Sequence, residues 1–164
     1  MTEGRERDVV RLVAIEQTPL DVTAVLEALG DDAAGGLNLF VGRVRDHDRR
    51  GGCGQHGPDD TGASHGDAQA VTGLDYSAHP TALDRLREVC ERVAARHDVR
   101  AVAAVHRVGE LAIGDLAVVV ATAAAHRGES FAATRDLIDT LKAEVPIWKH
   151  QRFADGSDEW VGTP

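Results

Sequence analysis

The spacing of apolar residues along this chain changes several times, and each change marks an element. After a polar start, "VVRLVAIEQTPL" is mildly apolar and predicts a first strand. "PLDVTAVLEAL" predicts a short helix, with Asp21 as N-cap and Gly30 as its stop. In "GGLNLFVGRVR" (35–45), Leu37, Leu39 and Val41 alternate with other residues, which is the period of a strand. Residues 46–69, "DHDRRGGCGQHGPDDTGASHGDAQ", have no apolar anchor and are dense in Gly, Asp and His. They predict a flexible surface loop.

The second half is more regular. "AVTGLDYSA" predicts a strand. "PTALDRLREVCERVAARH" predicts a helix, with Pro80 in its first turn and Leu83, Leu86, Val89, Cys90 and Val93 at helical spacing. "VRAVAAVHRVGEL" follows as one strand, "AIGD" as a turn, and "LAVVVATAAA" as a strand continuous enough to be buried. "GESFAATRDLIDTLKAEV" predicts a second long helix, with Phe131, Ile138, Leu141 and Val145 on one face and Pro146 ending it. "IWKHQRF" and "DEWVG" read as two short strands around the turn "ADGS". Strands that pair locally, with two main helices between them, predict an α+β domain with a largely antiparallel sheet over residues 1–164. No internal repeat is present.

Composition narrows the class. At 43% hydrophobic but only 4% aromatic residues, the core must be built from Val, Leu, Ile and Ala. A net charge of -9 argues against a general nucleic-acid binder, though it leaves room for one small basic pocket. No stretch approaches the roughly 20 apolar residues of a membrane-spanning helix. The start "MTEGRERDVV" lacks the apolar run of a signal peptide. Two cysteines, Cys53 and Cys90, make no disulfide framework, and Cys90 belongs on the apolar side of its helix. A cytoplasmic protein is expected.

Candidate chemistry lies in the basic residues. Of the 18 Lys and Arg residues only two are lysine, Lys142 and Lys149, either side of Pro146. They read either as a solvated helix end with a strand-edge charge, or as amines chosen because arginine cannot give up its proton. A desolvated lysine can serve as nucleophile or proton donor near neutral pH, and Trp148 is a candidate source of that desolvation. Arg43 and Arg45 stand at a strand end. His126 and Arg127 stand at a helix start, where unpaired N–H groups favour phosphate; a surface arginine beside a backbone-satisfied histidine is the plainer alternative. Arg127 and Lys142 are fifteen residues apart on one predicted helix. At about 1.5 Å per residue that is on the order of 22 Å, too far for one small ligand. If both serve one site, a second copy of the chain completes it. "CGQH" with His47, His56 and His65 is poor metal spacing. No phosphate-binding glycine loop is present, and no metal is expected.

Taken together, "FVGRVRDH", "LDYSAHP", "VHRVGELAIGD", "AAAHRGESF", "LKAEVPIWKHQ" and "DEWVG" resemble the MoaE family, the large catalytic subunits of molybdopterin synthase, from about residue 9 to 162. The resemblance implies an α/β hammerhead-type fold with added antiparallel strands. It implies a sulfurtransferase of molybdenum cofactor biosynthesis without a cofactor of its own. Its sulfur donor would be the C-terminal Gly-Gly thiocarboxylate of a small ubiquitin-like carrier, and its acceptor cyclic pyranopterin monophosphate. The assembly implied is a homodimer of large subunits with a small subunit at each end. By position, Lys142 and Lys149 match the family's catalytic lysines. Arg43, Arg45, His126, Arg127, His150 and Gln151, with both lysines, form the implied substrate-binding set. The chain departs from the family in its long glycine-rich loop with Cys53, in His79 where an aromatic is common, and in the absence of further basic residues after "EWVG". Two other functions compete: a non-catalytic phosphate-ligand or partner-binding module of the same fold, and a metal-dependent protein built on the histidine-rich loop.

Overall fold

The computed structural model describes residues 8–48 and 69–161. Among them lie β1 (Val10–Glu16), α1 (Val22–Ala28), β2 (Gly36–Arg43), β3 (His47–Asp48), β4 (Gln69–Ala78), α2 (Ala82–Arg96), β5 (Ala101–Arg107), β6 (Gly109–Leu111), β7 (Leu116–Ala124), α3 (Arg127–Glu144), β8 (Ile147–Phe153) and β9 (Asp158–Val161). The α+β expectation is borne out. The strands form a four-stranded sheet, in the order β1-β5-β7-β2, and a second sheet, β3-β4-β8-β9, with β6 pairing β4. Every pairing is antiparallel except β1 with β5.

The first sheet is buried on both faces. Alternation along β5 sends Val102 and Ala104 into a cluster with α2 and α3, and Ala101, Ala103 and Val105 into a second cluster with α1. Small side chains suit a sheet sandwiched this way, because helices can approach closely on either side. Asp21 caps α1 by accepting the Ala24 N–H at 3.1 Å, and Gly30 closes it on the Glu27 carbonyl. The second sheet has a smaller core of Val44, Val71, Leu74, Leu111, Ala117 and Phe153, with Tyr76 packed against it. No helix among the described residues is long and apolar enough to cross a membrane.

Four local expectations are corrected. "VRAVAAVHRVGEL" is two strands in different sheets, because the chain leaves the first sheet after Arg107 and turns at Gly109, whose φ of 88° favours glycine. Pro80 precedes the α2 N-cap, Thr81, instead of lying in the first turn. Leu83 and Phe131 are 43% and 59% exposed. On α3 the buried stripe is Ser130, Ala133, Thr134, Leu137, Ile138 and Leu141, and its polar members are held by hydrogen bonds to Thr122. A search for apolar residues alone passes over such positions. The ends of the predicted loop 46–69 are also corrected, since His47 and Asp48 pair with Ala70 and Gln69 as strands. Residues 49–68 lie outside the described residues.

Candidate functional site

The residue before a proline avoids helical dihedrals, and Val145, at φ -81° and ψ 121°, stops α3 there. The chain then re-enters the second sheet as β8. The turn therefore sets Lys142, exposed in the last turn of α3, close in sequence to half-buried Lys149 on β8.

Register decides what surrounds Lys149. It pairs with Tyr76 on β4 and Val161 on β9. Gln151 and Ile147 lie on the same face, whereas Trp148 and His150 lie on the other. The neighbour expected to desolvate Lys149, Trp148, thus turns away from it and meets His79, with ring centroids 6.2 Å apart. Tyr76 is instead its partner across the strand, on the same face. His150 is engaged on the outer face, 2.7 Å from the Asp158 carboxylate and stacked on Trp160 at 4.4 Å. Gln151 is only 1% exposed, and its Oε1 has no hydrogen-bond partner among the described residues.

Sequence reasoning missed His106 at the end of β5. Alternation along that strand turns it toward the α2–α3 side, and it is 6% exposed. α3 follows β7 and runs back along the sheet, so its lysine end comes to the end of β5. The His106 Nδ1 lies 2.7 Å from the Arg107 carbonyl oxygen. A carbonyl only accepts, so Nδ1 carries the proton and Nε2 the lone pair. The ring meets Tyr76 edge-on at 5.2 Å and 73°. Burial pushes the imidazole down to about 4; the Arg107 bond opposes this, and the charge of Lys142 adds to it. The one available sequence signal was a histidine closing an otherwise apolar buried strand.

The other basic residues divide into two places. Arg43 ends β2 and donates from Nε to the Gly114 carbonyl at 3.1 Å, so part of its role is to hold the β6–β7 turn. Val44, between Arg43 and Arg45, packs in the cluster that receives Tyr76, which brings this strand end to the second sheet. Arg45 is exposed. His126 is the N-cap of α3 and Arg127 its first residue, both exposed. A Cβ on Gly35 would stand 2.6 Å from the Ala125 carbonyl oxygen, so glycine is required for β2 to start this close to the helix entrance. The eighteen-residue α3 separates this pair from Lys142. One copy of the chain does not bring them together.

Cys90 is fully buried, and desolvation pushes its thiol up to about 12, which leaves it inert. Cys53, His56 and His65 lie outside the described residues. Among those described, no three His, Cys, Asp or Glu side chains are grouped to hold a metal.

These features define an α+β protein whose two sheets touch at Tyr76 and His106, with one lysine on β8, the other at the end of α3, and a histidine–arginine pair at the start of that helix. The family model described as "MoaE protein" matches residues 15–144. The molybdopterin synthase catalytic subunit 1 of Mycobacterium tuberculosis is 41% identical over 88% of this chain and 86% of its own length. Molybdopterin synthase from Staphylococcus aureus superposes with a TM-score of 0.74 at 25% identity, covering 92% of this chain and 97% of that one. A complex of subunits 1 and 2 of molybdopterin-converting factor from Helicobacter pylori shares the fold, with a TM-score of 0.62 at 18% identity over 94% and 90% of the two chains. The chain belongs to the MoaE family.

Proposed function

We propose that this chain is the catalytic subunit of a molybdopterin synthase. It takes sulfur from the C-terminal thiocarboxylate of a small ubiquitin-like carrier and delivers it, twice, to cyclic pyranopterin monophosphate to form the dithiolene. The reading is supported by the placement of the chain's only two lysines on either side of one turn, at the end of α3 and on β8, in a protein of this family. Thiocarboxylate and phosphate each bring negative charge, and the transfer develops more on oxygen. Lys142 and Lys149 stabilise that charge and move protons, which arginine, permanently charged, does not do. Arg43 and Arg45 steer the anionic groups, and His126 with Arg127 hold the phosphate at the helix start. Gln151, being buried, acts from beneath, and His150 from the outer face. A small-subunit partner is supported by the two-subunit complex known for the Helicobacter pylori protein.

The length of α3 makes the site composite. Lys142 of one copy works with His126 and Arg127 of another, in a homodimer. The edge strand β2 and the helix beside it expose Leu37, Phe40 and Phe131, apolar surface of the kind a second copy would cover.

The test is reconstitution with thiocarboxylated carrier and cyclic pyranopterin monophosphate, quantifying molybdopterin. Wild type makes product. Lys149→Ala and Arg127→Ala each lose activity by roughly 10²-fold or more. Co-refolding the two variants restores about a quarter of wild-type activity, because half of randomly paired dimers hold one intact composite site. No product from wild type would leave the non-catalytic binding module. Active single variants would demote the residues, and no restoration on mixing would place each site within one subunit.

A further inference from the structure

The proposed reaction uses two lysines but leaves unexplained the buried histidine between their supports. Hydrogen bonding, strand pairing, a ring contact and charge link His106 to five elements. On β5 itself its Nδ1 bonds the Arg107 carbonyl, and the Arg107 side chain is neutralised by Asp115 at 3.1 Å. β1 and β7 offer the apolar residues Ile15 and Val118, its partners in the sheet. α3 brings Lys142, whose charge reaches the imidazole. β4 brings Tyr76, edge-on to the ring and paired across the strand with Lys149. No carboxylate among these contacts is available to pair with an imidazolium, since Asp115 is committed to Arg107 and to the Ala112 N–H.

We propose that His106 is a positioning residue for the lysine pair: its neutral ring, pinned by the bond from Nδ1 to the Arg107 carbonyl, fills the seam between Lys142 and Tyr76 and fixes the spacing of the two amines without adding a third cation. This rests on the lysine site described above and deepens it. A side chain too small for the seam lets Tyr76, and Lys149 with it, relax inward. A cation there repels both ammonium groups. A neutral aromatic of similar volume satisfies both requirements, so Phe is the rescuing substitution and Ala the disrupting one.

The composition of the chain supplies an unusually clean probe. With only two lysines, protein labelled at the lysine ε-carbon with carbon-13 gives two side-chain signals, and nitrogen-15 histidine reports the chain's eight imidazoles, from which His106 is assigned by the signal lost in His106→Phe. In wild type the imidazole stays neutral, with Nδ1 protonated, well below its ordinary 6.5. One lysine signal, assigned to Lys142 by Lys142→Arg, shifts in step with imidazole protonation. His106→Phe removes that step and keeps both lysine signals near their wild-type positions at pH 7. His106→Ala moves the Lys149 signal as well. In the reconstituted synthase, His106→Ala lowers kcat on the order of tenfold to a hundredfold with little change in KM, as expected when catalytic groups are misplaced by about an ångström. His106→Phe recovers most of the loss. An imidazole that titrates near 6.5, or lysine signals identical in wild type and both variants, would overturn the role of His106. The spectra require no substrate. A wild-type protein that makes no molybdopterin would therefore refute the sulfur-transfer reading alone and leave the lysine signals to decide for or against His106.

Discussion

The two sheets are built on opposite principles. The central strands of the first, β5 and β7, are nearly all Ala and Val and almost entirely buried, with helices on both faces. The second keeps a single small apolar cluster and turns a polar face outward, where Arg152 meets Glu110 and His150 meets Asp158 beneath a Trp160 that is 54% exposed. Burial on two faces supplies stability, while one polar face leaves side chains free to meet a partner or ligand. The two meet at Tyr76 and His106, and Tyr76 pairs with Lys149, so the first sheet supports what the second presents.

The sharpest way to break this contrast is to damage the first sheet and watch the second. Leu137 is fully buried between α3 and that sheet, and Leu137→Ala should cost about 2–5 kcal/mol through lost transfer energy and the cavity left behind. Both tryptophans of the chain, Trp148 and Trp160, lie on β8 and β9, so their fluorescence reports the second sheet. Far-UV circular dichroism is dominated by the helices on the first. A small second core that depends on its neighbour unfolds with it, and both midpoints in denaturant move down together. A fluorescence midpoint left in place by Leu137→Ala would show that the second sheet stands alone.

A somewhat smaller effect is expected at the seam, from pH. The folded protein holds His106 neutral down to about 4 against an ordinary 6.5, so the unfolded chain binds the proton first. Stability from this group is complete above pH 6.5 and falls as pH drops toward 4, by about 3 kcal/mol at about 1.4 kcal/mol per unit. Asp136, between α2 and α3, adds a lower window. Burial alone would raise its pKa, but hydrogen bonds from His97 and Thr140 and the charge of Arg96 hold it below the usual 3.8. Its contribution is therefore lost as pH falls through the carboxylate range. Urea unfolding followed from pH 7 to pH 4 should show a steeper loss in wild type than in His106→Phe. Equal slopes would mean that the seam admits the proton freely.

Most of the architecture was legible where chemistry marks both ends of an element. Asp21 and Gly30 bracket α1, and Pro146 stops α3 because no residue before proline sits easily in a helix. The continuous run of β7 and the β8–β9 hairpin were legible for similar local reasons. What the pattern hid was tertiary. Nothing in "VHRVGEL" says that its halves belong to different sheets, since apolar alternation runs through the switch at Gly109. Ser130 and Thr134 are buried because Thr122 waits beneath them, a pairing invisible along the chain. At the site, the lysines and the α3 helix start announced themselves by residue type and spacing. His106 and Tyr76 come beside the candidate lysines only through strand register, which also turns Trp148, the sequence neighbour of Lys149, to the opposite face.

The smallest expected effect sharpens the comparison most, because it asks whether the polar face of the second sheet holds that sheet together. Arg152 donates to Glu110 at 3.0 Å, bridging β8 to β6 across β4, and its guanidinium lies over Gly73. Both partners are well exposed, with 44% and 77% of their side-chain surface accessible. Water screens such a pair, and ordering two long side chains offsets much of the attraction, so Arg152→Ala should cost no more than about 1 kcal/mol. Part of that loss is packing of the guanidinium plane over Gly73, which salt does not weaken; the charge part should fade between low and high ionic strength. Tryptophan-detected unfolding at both ionic strengths separates the two. A loss as large as that of Leu137→Ala would mean that the second sheet is stabilised by its outer ion pairs, and its polar face would then be structural instead of free to meet a partner.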